Sequence, residues 1–291
     1  MQCDRCAVAF LHPTPARADI PGFYGLSYYG EENAKFGPFT ERFILLFRLA
    51  RVRALRSVGV RTGRVLDLGC GRGMFLKVLQ GRGFDVYGTE LDESAARSAR
   101  QQVGAHRIHT SAIEDLPLPA GHFDAITAWQ VFEHLPDPSG TLDACHRLLR
   151  PNGSLLLSVP NVASWQARWA GAEWFHLDVP RHLYHYCPDS LTALLERHGF
   201  RVETISHYSL EQNPFGLLQS ALHRLGAPHM GLYNLVRGPL DRQERSRLQR
   251  LPFYAAYLAA FPIVAFVSYC WSALGSGATF TVLARRVDSG T

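Results

Sequence analysis

Lysine is nearly absent from this chain: Lys35 and Lys77 are the only two among 30 lysines and arginines. No lysine stands in a glycine-rich turn, which excludes a phosphate loop of the Gly-Lys-Ser/Thr kind. The formal net charge of +5 is mild and almost wholly arginine. It reflects either a genome rich in arginine codons or attraction to an anionic membrane or substrate. No basic helix and no aromatic-basic module is present, so nucleic acid is not an expected partner. Charged residues are scarce, at 19%, but hydrophobic ones reach 47%, which excludes a disordered chain. The six cysteines (Cys3, Cys6, Cys70, Cys145, Cys187, Cys270) are scattered and form no disulfide framework. Met1-Gln2-Cys3-Asp4 lacks the apolar run of a leader, so a reducing cytoplasm is expected. Cys3-x-x-Cys6 is half of a zinc pattern. A closed structural site needs four ligands, no second pair lies nearby, and no metal is expected.

What is present is organised around Val65-Leu66-Asp67-Leu68-Gly69-Cys70-Gly71-Arg72-Gly73-Met74-Phe75-Leu76. Val65, Leu66 and Leu68 make the short apolar run of a buried parallel strand. Gly69, Gly71 and Gly73 permit a tight turn with free N–H groups facing a ligand. Phe75, Leu76 and Leu79 follow at helical spacing on one face. Met74 stands where a dinucleotide fingerprint requires its third glycine, which argues against a nicotinamide-dependent oxidoreductase.

This stretch resembles motif I of class I S-adenosylmethionine (SAM) methyltransferases, and the segments after it resemble the same family in order and distance. Asp85–Glu90 looks like the second strand, whose closing acid would accept hydrogen bonds from the ribose hydroxyls. A carboxylate suits a vicinal diol. Ile113-Glu114-Asp115 resembles the adenine-side loop. Phe123–Trp129 resembles the fourth strand, and Gln130–Leu135 the edge of the active site. Leu149–Gly153 and Ser154–Val159 resemble the turn and fifth strand. The resemblance therefore implies SAM as cofactor, held by Asp67, Gly69, Cys70, Gly71, Gly73, Glu90, Leu91, Glu114, Asp115, Trp129 and Gln130. It also implies the family fold: a doubly wound, seven-stranded, mostly parallel α/β sheet. Helices at Asp92–Val103 and Ser139–Leu149 and a strand at Ile108–Thr110 fit that alternation. Cys3 and Cys6 resemble the tail of a zinc ribbon that precedes some methyltransferases of this type.

The chain divides into a tail over residues 1–20, lid or cap helices over 21–62, and a cofactor-binding core over 63–209. A hydrophobic helical insertion over 210–277 and a final strand and tail over 278–291 follow. In the cap, Phe39–Val58 reads as a helix with Phe43, Leu46, Phe47, Ala50 and Leu55 inward. The Tyr28-Tyr29 segment resembles one that closes over the cofactor, where aromatic faces suit a sulfonium. The alternative is packing on the sheet edge.

After the fifth strand, Trp165–Tyr186 collects rings and imidazoles and ends in Pro180-Arg181-His182-Leu183-Tyr184-His185. A related Pro-Arg-His-Leu arrangement recurs in methyltransferases resembling the ubiquinone-biosynthesis type. His182, His185 and His134 are the candidate bases for an acceptor hydroxyl. His-x-x-His without a third ligand does not make a metal site. Pro188 opens a helix with Leu191, Leu194 and Leu195 inward, closed by His198-Gly199. Arg201–Tyr208 is the expected sixth strand and Thr279–Arg286 the antiparallel seventh.

The insertion between those strands exceeds ordinary loop lengths. Leu251–Leu274 is uncharged and long enough to span a bilayer. Both ends must return to one sheet, however, and Pro262 would kink a helix. Residues 213–276 are then an interfacial or re-entrant element with arginines on anionic headgroups, a cap over the acceptor, or a dimer face. The expected activity is methyl transfer from SAM to a small-molecule or lipid-linked acceptor, most simply on oxygen. The alternative is a non-catalytic SAM-binding scaffold at a membrane or in a complex.

Overall fold

The computed structural model describes residues 1–4, 8–16, 19–23, 38–226 and 247–287, with the side chains of 21, 38–43 and 247–258 excepted. Cys6, Tyr24–Gly30, Arg242 and Arg245 lie outside the described residues, as does the side chain of Phe43.

Seven strands form one sheet: β2 (Gly63–Leu68), β3 (Phe84–Thr89), β4 (Ile108–His109), β5 (Phe123–Trp129), β6 (Leu149–Pro160), β8 (Phe200–Ser206) and β9 (Thr279–Arg286). Their order is β4-β3-β2-β5-β6-β9-β8. β9 is antiparallel to both its neighbours, with Leu156 opposite Leu283 and Val202 opposite Ala284. This is the doubly wound, mostly parallel arrangement expected. A separate two-stranded ribbon pairs β1 (Ala9–Phe10) with β7 (Tyr184–His185).

The helices cover both faces because the strands are apolar on both sides. On one face α1 (Pro38–Ser57), α2 (Met74–Gln80) and α3 (Glu93–Val103) bury Leu55, Leu76, Leu79 and Ala99 against Val65, Val86 and Leu156. On the other, α4 (Pro138–Leu148) and α6 (Pro188–Arg197) bury Leu142, Leu148, Leu191 and Leu195 against Leu66, Ile126 and Leu157. Asp92 and Asp137 cap α3 and α4, their carboxylates accepting from Ala95 N (2.8 Å) and Gly140 N (3.0 Å).

Several boundaries differ from the sequence reading. α4 ends at Leu148, and Leu149 opens β6, which carries the 150–153 turn within it; Asn152 turns through φ 60°. β8 stops at Ser206, before Tyr208. α1 turns Val52, Leu55 and Val58 into the core but leaves Leu46 53% exposed and Ala50 exposed as well. The reason is that only its second half lies on the sheet; its first half overhangs a cleft.

The insertion folds as α7 (Asn213–Arg224) packed on α8 (Arg247–Ala273), with α5 (Trp165–Ala170) beside α7. α8 runs unbroken through Pro262, so the expected kink does not interrupt the helix. Trp165 stacks on Trp169 (5.7 Å) and on Trp271 (5.1 Å), which ties α8 to α5. Among the described residues no helix is long and apolar enough to cross a membrane.

Candidate active site

The carboxyl ends of β2 and β5 meet below the overhanging half of α1 and enclose a cleft of about 290 Å³. Asp67, Gly69, Cys70, Gly71, Arg72, Met74 and Phe75 line its floor, and Trp129 and Arg51 its sides. Gly69 and Gly73 are required here on two counts. Both have positive φ (60° and 74°), and a Cβ would come within 2.7 Å of Val131 and 2.8 Å of the Ala99 backbone respectively. At Gly71 a Cβ would meet nothing within 4 Å, which leaves the backbone open toward the cleft.

The turn does not offer free amides as the glycine spacing suggests. Cys70 N–H donates to Thr89 O (2.9 Å), Gly73 N–H to Cys70 O (3.0 Å), and Gly71 N–H to the Glu90 carboxylate (2.9 Å). Glu90 also accepts from Asp92 N–H (2.9 Å). The acid at the end of β3 therefore joins the glycine turn to the start of α3, with one of these amides on each oxygen. Burial pushes its pKa up, and the amides oppose that.

Asp67 is 3% exposed and receives the Thr127 hydroxyl at 2.5 Å. Burial raises its pKa to about 7, against the lowering effects of the Thr127 hydrogen bond and the nearby Arg51. Arg51, from α1, lies over Trp129 (5.2 Å) and Phe75 (5.9 Å) and is held by both oxygens of Glu211 (2.8 and 3.1 Å). Two rings and a carboxylate thus hold the Arg51 guanidinium at one side of the cleft. The buried carboxyl groups of Asp67 and Glu90 and the open backbone at Gly71 offer the acceptors and the close approach that a nucleoside with an amino-acid tail requires, so the residues fit SAM.

A second cleft, about 540 Å³, adjoins the first through Phe47, Arg51, Trp129 and Glu211. It is mainly apolar, with Leu46, Leu49, Tyr208, Leu210 and Leu283 on its walls. Gln130, Ser158, Ser206 and Thr281 add polar groups from the ends of β5, β6, β8 and β9. Gln130 adopts φ 57° and reaches Ser158 through its backbone N–H (2.8 Å) and side chain (3.3 Å).

The remaining expected residues are placed differently. Leu91 is 70% exposed and lines neither cleft. The Glu114 carboxylate is turned to the Thr141 hydroxyl (2.6 Å) on α4, and Asp115 is exposed beside it. His134 and His182 are brought together, 4.6 Å between ring centres, with His185 6.3 Å from His182. None of the three lines either cleft. Burial lowers all three pKa values. Glu133, 1% exposed beside them, has its pKa raised to about 8 by burial.

Arg51 and Glu211 escaped the sequence reading altogether. They lie 160 residues apart, in a cap helix and in the turn after β8, and no local pattern links them.

A family model described as a methyltransferase domain matches residues 41–205. A ubiquinone biosynthesis O-methyltransferase of Aromatoleum aromaticum is 33% identical over 172 residues, covering 55% of this chain and 72% of that protein. One of the same description from Xanthomonas axonopodis pv. citri is 33% identical over 154 residues, which span 49% of this chain and 64% of its own length. The solved structure of Burkholderia thailandensis 1,6-didemethyltoxoflavin-N1-methyltransferase, with bound 1,6-didemethyltoxoflavin and S-adenosylhomocysteine, aligns over 98% of this chain and 97% of that one. The TM-score is 0.52 at 17% identity, a likeness of fold.

Proposed function

The chain belongs to the SAM-dependent methyltransferases, and we propose that it methylates an oxygen of a small, largely apolar acceptor seated in the second cleft. The observation that carries this reading is the continuity of the two clefts across Phe47, Arg51, Trp129 and Glu211. One is floored by the glycine turn and the Asp67 carboxyl, the other is mainly apolar. The O-methyltransferase description of the relatives supports oxygen as the atom methylated.

SAM, when bound, supplies an electrophilic methyl group. Asp67, Gly69, Cys70, Gly71 and Glu90 would hold it, with Gly73 and Glu114–Asp115 shaping the turn and loop beside it. Trp129 would form the wall common to both ligands, and Gln130, pinned to Ser158, would set the acceptor's depth. The apolar walls exclude water, which aligns the reactants and removes competing hydration. Glu211 is the carboxylate shared by both clefts, and we assign it to accept the hydrogen bond of the acceptor hydroxyl. His134, His182 and His185 lie beyond the walls, and we assign them to positioning the loop that carries Gln130. A non-catalytic scaffold would need no apolar cleft beside the cofactor.

The test is two titrations and one assay. S-adenosylhomocysteine should bind with a 1:1 stoichiometry and NADH should not. Methyl transfer should then be followed over a panel of phenols and catechols against free sugars. Transfer to sugars alone would overturn the acceptor assignment.

We further propose that the insertion rests on an anionic bilayer surface. Ile263, Phe266 and Tyr269 project from α8 at 59–69% exposure, three residues apart, and Leu225 beyond α7 is 83% exposed. Arg224, beside Trp169 (5.2 Å), adds charge at the same end of α7.

A further inference from the structure

His182-x-x-His185 lacks a third ligand in the sequence, but the fold supplies other partners. The short helical turn after β5 carries Glu133 and His134, and the 176–183 segment folds over it. Leu183 N–H donates to Glu133 O (2.9 Å) and His134 Nδ1 bonds to Arg181 O (3.0 Å). One carboxylate oxygen of Glu133 and one ring nitrogen each of His134 and His182 then lie within 4.8 Å of one another.

The chemistry of this cluster is one-sided. His182 Nδ1 faces His176 O at 2.8 Å, and a carbonyl only accepts, so the proton sits on Nδ1. Nε2 therefore turns a lone pair toward Glu133 Oε1 (3.9 Å) and Asp178 Oδ2 (3.8 Å). Glu133 is 1% exposed, and neither of its carboxylate oxygens has a hydrogen-bond partner. Asp178 is paired with Arg181, which leaves Glu133 as the carboxyl group of the cluster without a hydrogen-bond partner. A buried carboxyl group and an imidazole nitrogen that face each other at 3.9 Å without a hydrogen bond are costly unless a cation joins them. A ring nitrogen that donates to a backbone carbonyl while the other faces a carboxylate is also the orientation of metal-bound histidines.

We propose that Glu133, His134 and His182 bind a first-row divalent cation of the zinc type, with Asp178 at its rim. Two imidazoles and one carboxylate suit zinc or cobalt and not magnesium, which takes oxygen ligands. Ligand atoms around zinc at ~2.0–2.2 Å stand closer than the present spacing, so the three side chains draw inward by on the order of 1 Å. The ion ties the turn after Gln130 to the segment after α5 and holds one edge of the second cleft.

The test uses the full chain with Cys3→Ser and Cys6→Ser, so that the Cys3-x-x-Cys6 pair cannot contribute, and the Co2+ spectrum reports any remaining thiolate ligand. After chelation, Zn2+ is titrated by calorimetry and Co2+ by visible absorption. One Zn2+ per chain is expected, with a raised melting temperature and a Co2+ spectrum lacking thiolate bands. Glu133→Gln and, independently, His182→Gln should each weaken Zn2+ by tenfold or more. Absence of stoichiometric binding to the chain with Cys3→Ser and Cys6→Ser would overturn the proposal. So would a folded Glu133→Gln chain that binds Zn2+ as tightly as its parent, because the amide mimics a protonated acid and not a ligand. If that variant does not fold, the His182→Gln titration decides on the same criterion, and the Co2+ spectrum of the parent stands independently of both.

Discussion

Asp67 combines the deepest burial in the first cleft with a hydroxyl partner and a nearby guanidinium. Its folded pKa of about 7 lies above the ordinary 3.8. Between those values the folded chain keeps a proton that the unfolded chain has released. Stability contributed by this group therefore falls as pH rises from about 4 to about 7 and stays low above that, at ~1.4 kcal/mol per pKa unit. Asp67→Asn should flatten that slope and raise the melting temperature at pH 8 in the ligand-free protein, while weakening S-adenosylhomocysteine. Chemical denaturation across pH 4–8 checks the first half. An unchanged slope would mean that Arg51 compensates the charge fully. Glu90 acts through two amides and the ligand together. Glu90→Ala should cost S-adenosylhomocysteine tenfold or more in Kd by calorimetry, about 1.4 kcal/mol. Retained affinity would sink the ribose assignment.

At the scale of elements, one buried side chain joins the end of β8, the insertion and β9. Asn213, 1% exposed, donates to His207 O (2.9 Å) and Ser272 Oγ (3.1 Å) and accepts from Thr279 N and Oγ1 (both 2.9 Å). Its carbonyl accepts Gln166 Nε2 at 2.8 Å. Asn213→Ala would strand several buried polar groups, so a loss of about 3 kcal/mol or more is expected in denaturant unfolding. Asn213→Asp should also be harmful, because the bond donated to the His207 carbonyl becomes a repulsion between two acceptors. No periodicity marks Asn213, since its partners come from four separated segments. By contrast the β9 bounds, the α6 face and the α3 cap were all legible, because each is set by neighbours within a few residues: alternation, helical spacing, a capping carboxylate.

For the whole molecule, the exposed face of α8 and the arginine-rich approach to it predict adsorption on negative surfaces. The purified chain should sediment with anionic vesicles at low salt and less at high salt, and not with zwitterionic vesicles. Replacing Ile263, Phe266 and Tyr269 with serine should abolish the pelleting while leaving S-adenosylhomocysteine affinity intact. Sedimentation of that variant at the parental level would remove α8 from the contact.

The sequence by itself determined the family, its cofactor and the local frame of the glycine turn. A strand, a glycine turn with positive φ and an acid at the next strand end are short-range features, and backbone geometry dictates their residue types. What only the tertiary structure decided is everything made by distant segments meeting. Arg51 lies between Trp129 and Phe75, held by Glu211. Half of α1 overhangs a cleft where helical spacing alone suggested an inward face. His182 meets His134 and Glu133 and lines neither cleft. Helical periodicity tells which residues share a face, but not what covers that face. That is decided by where the chain returns, and here it returns after the insertion to place β9 between β6 and β8.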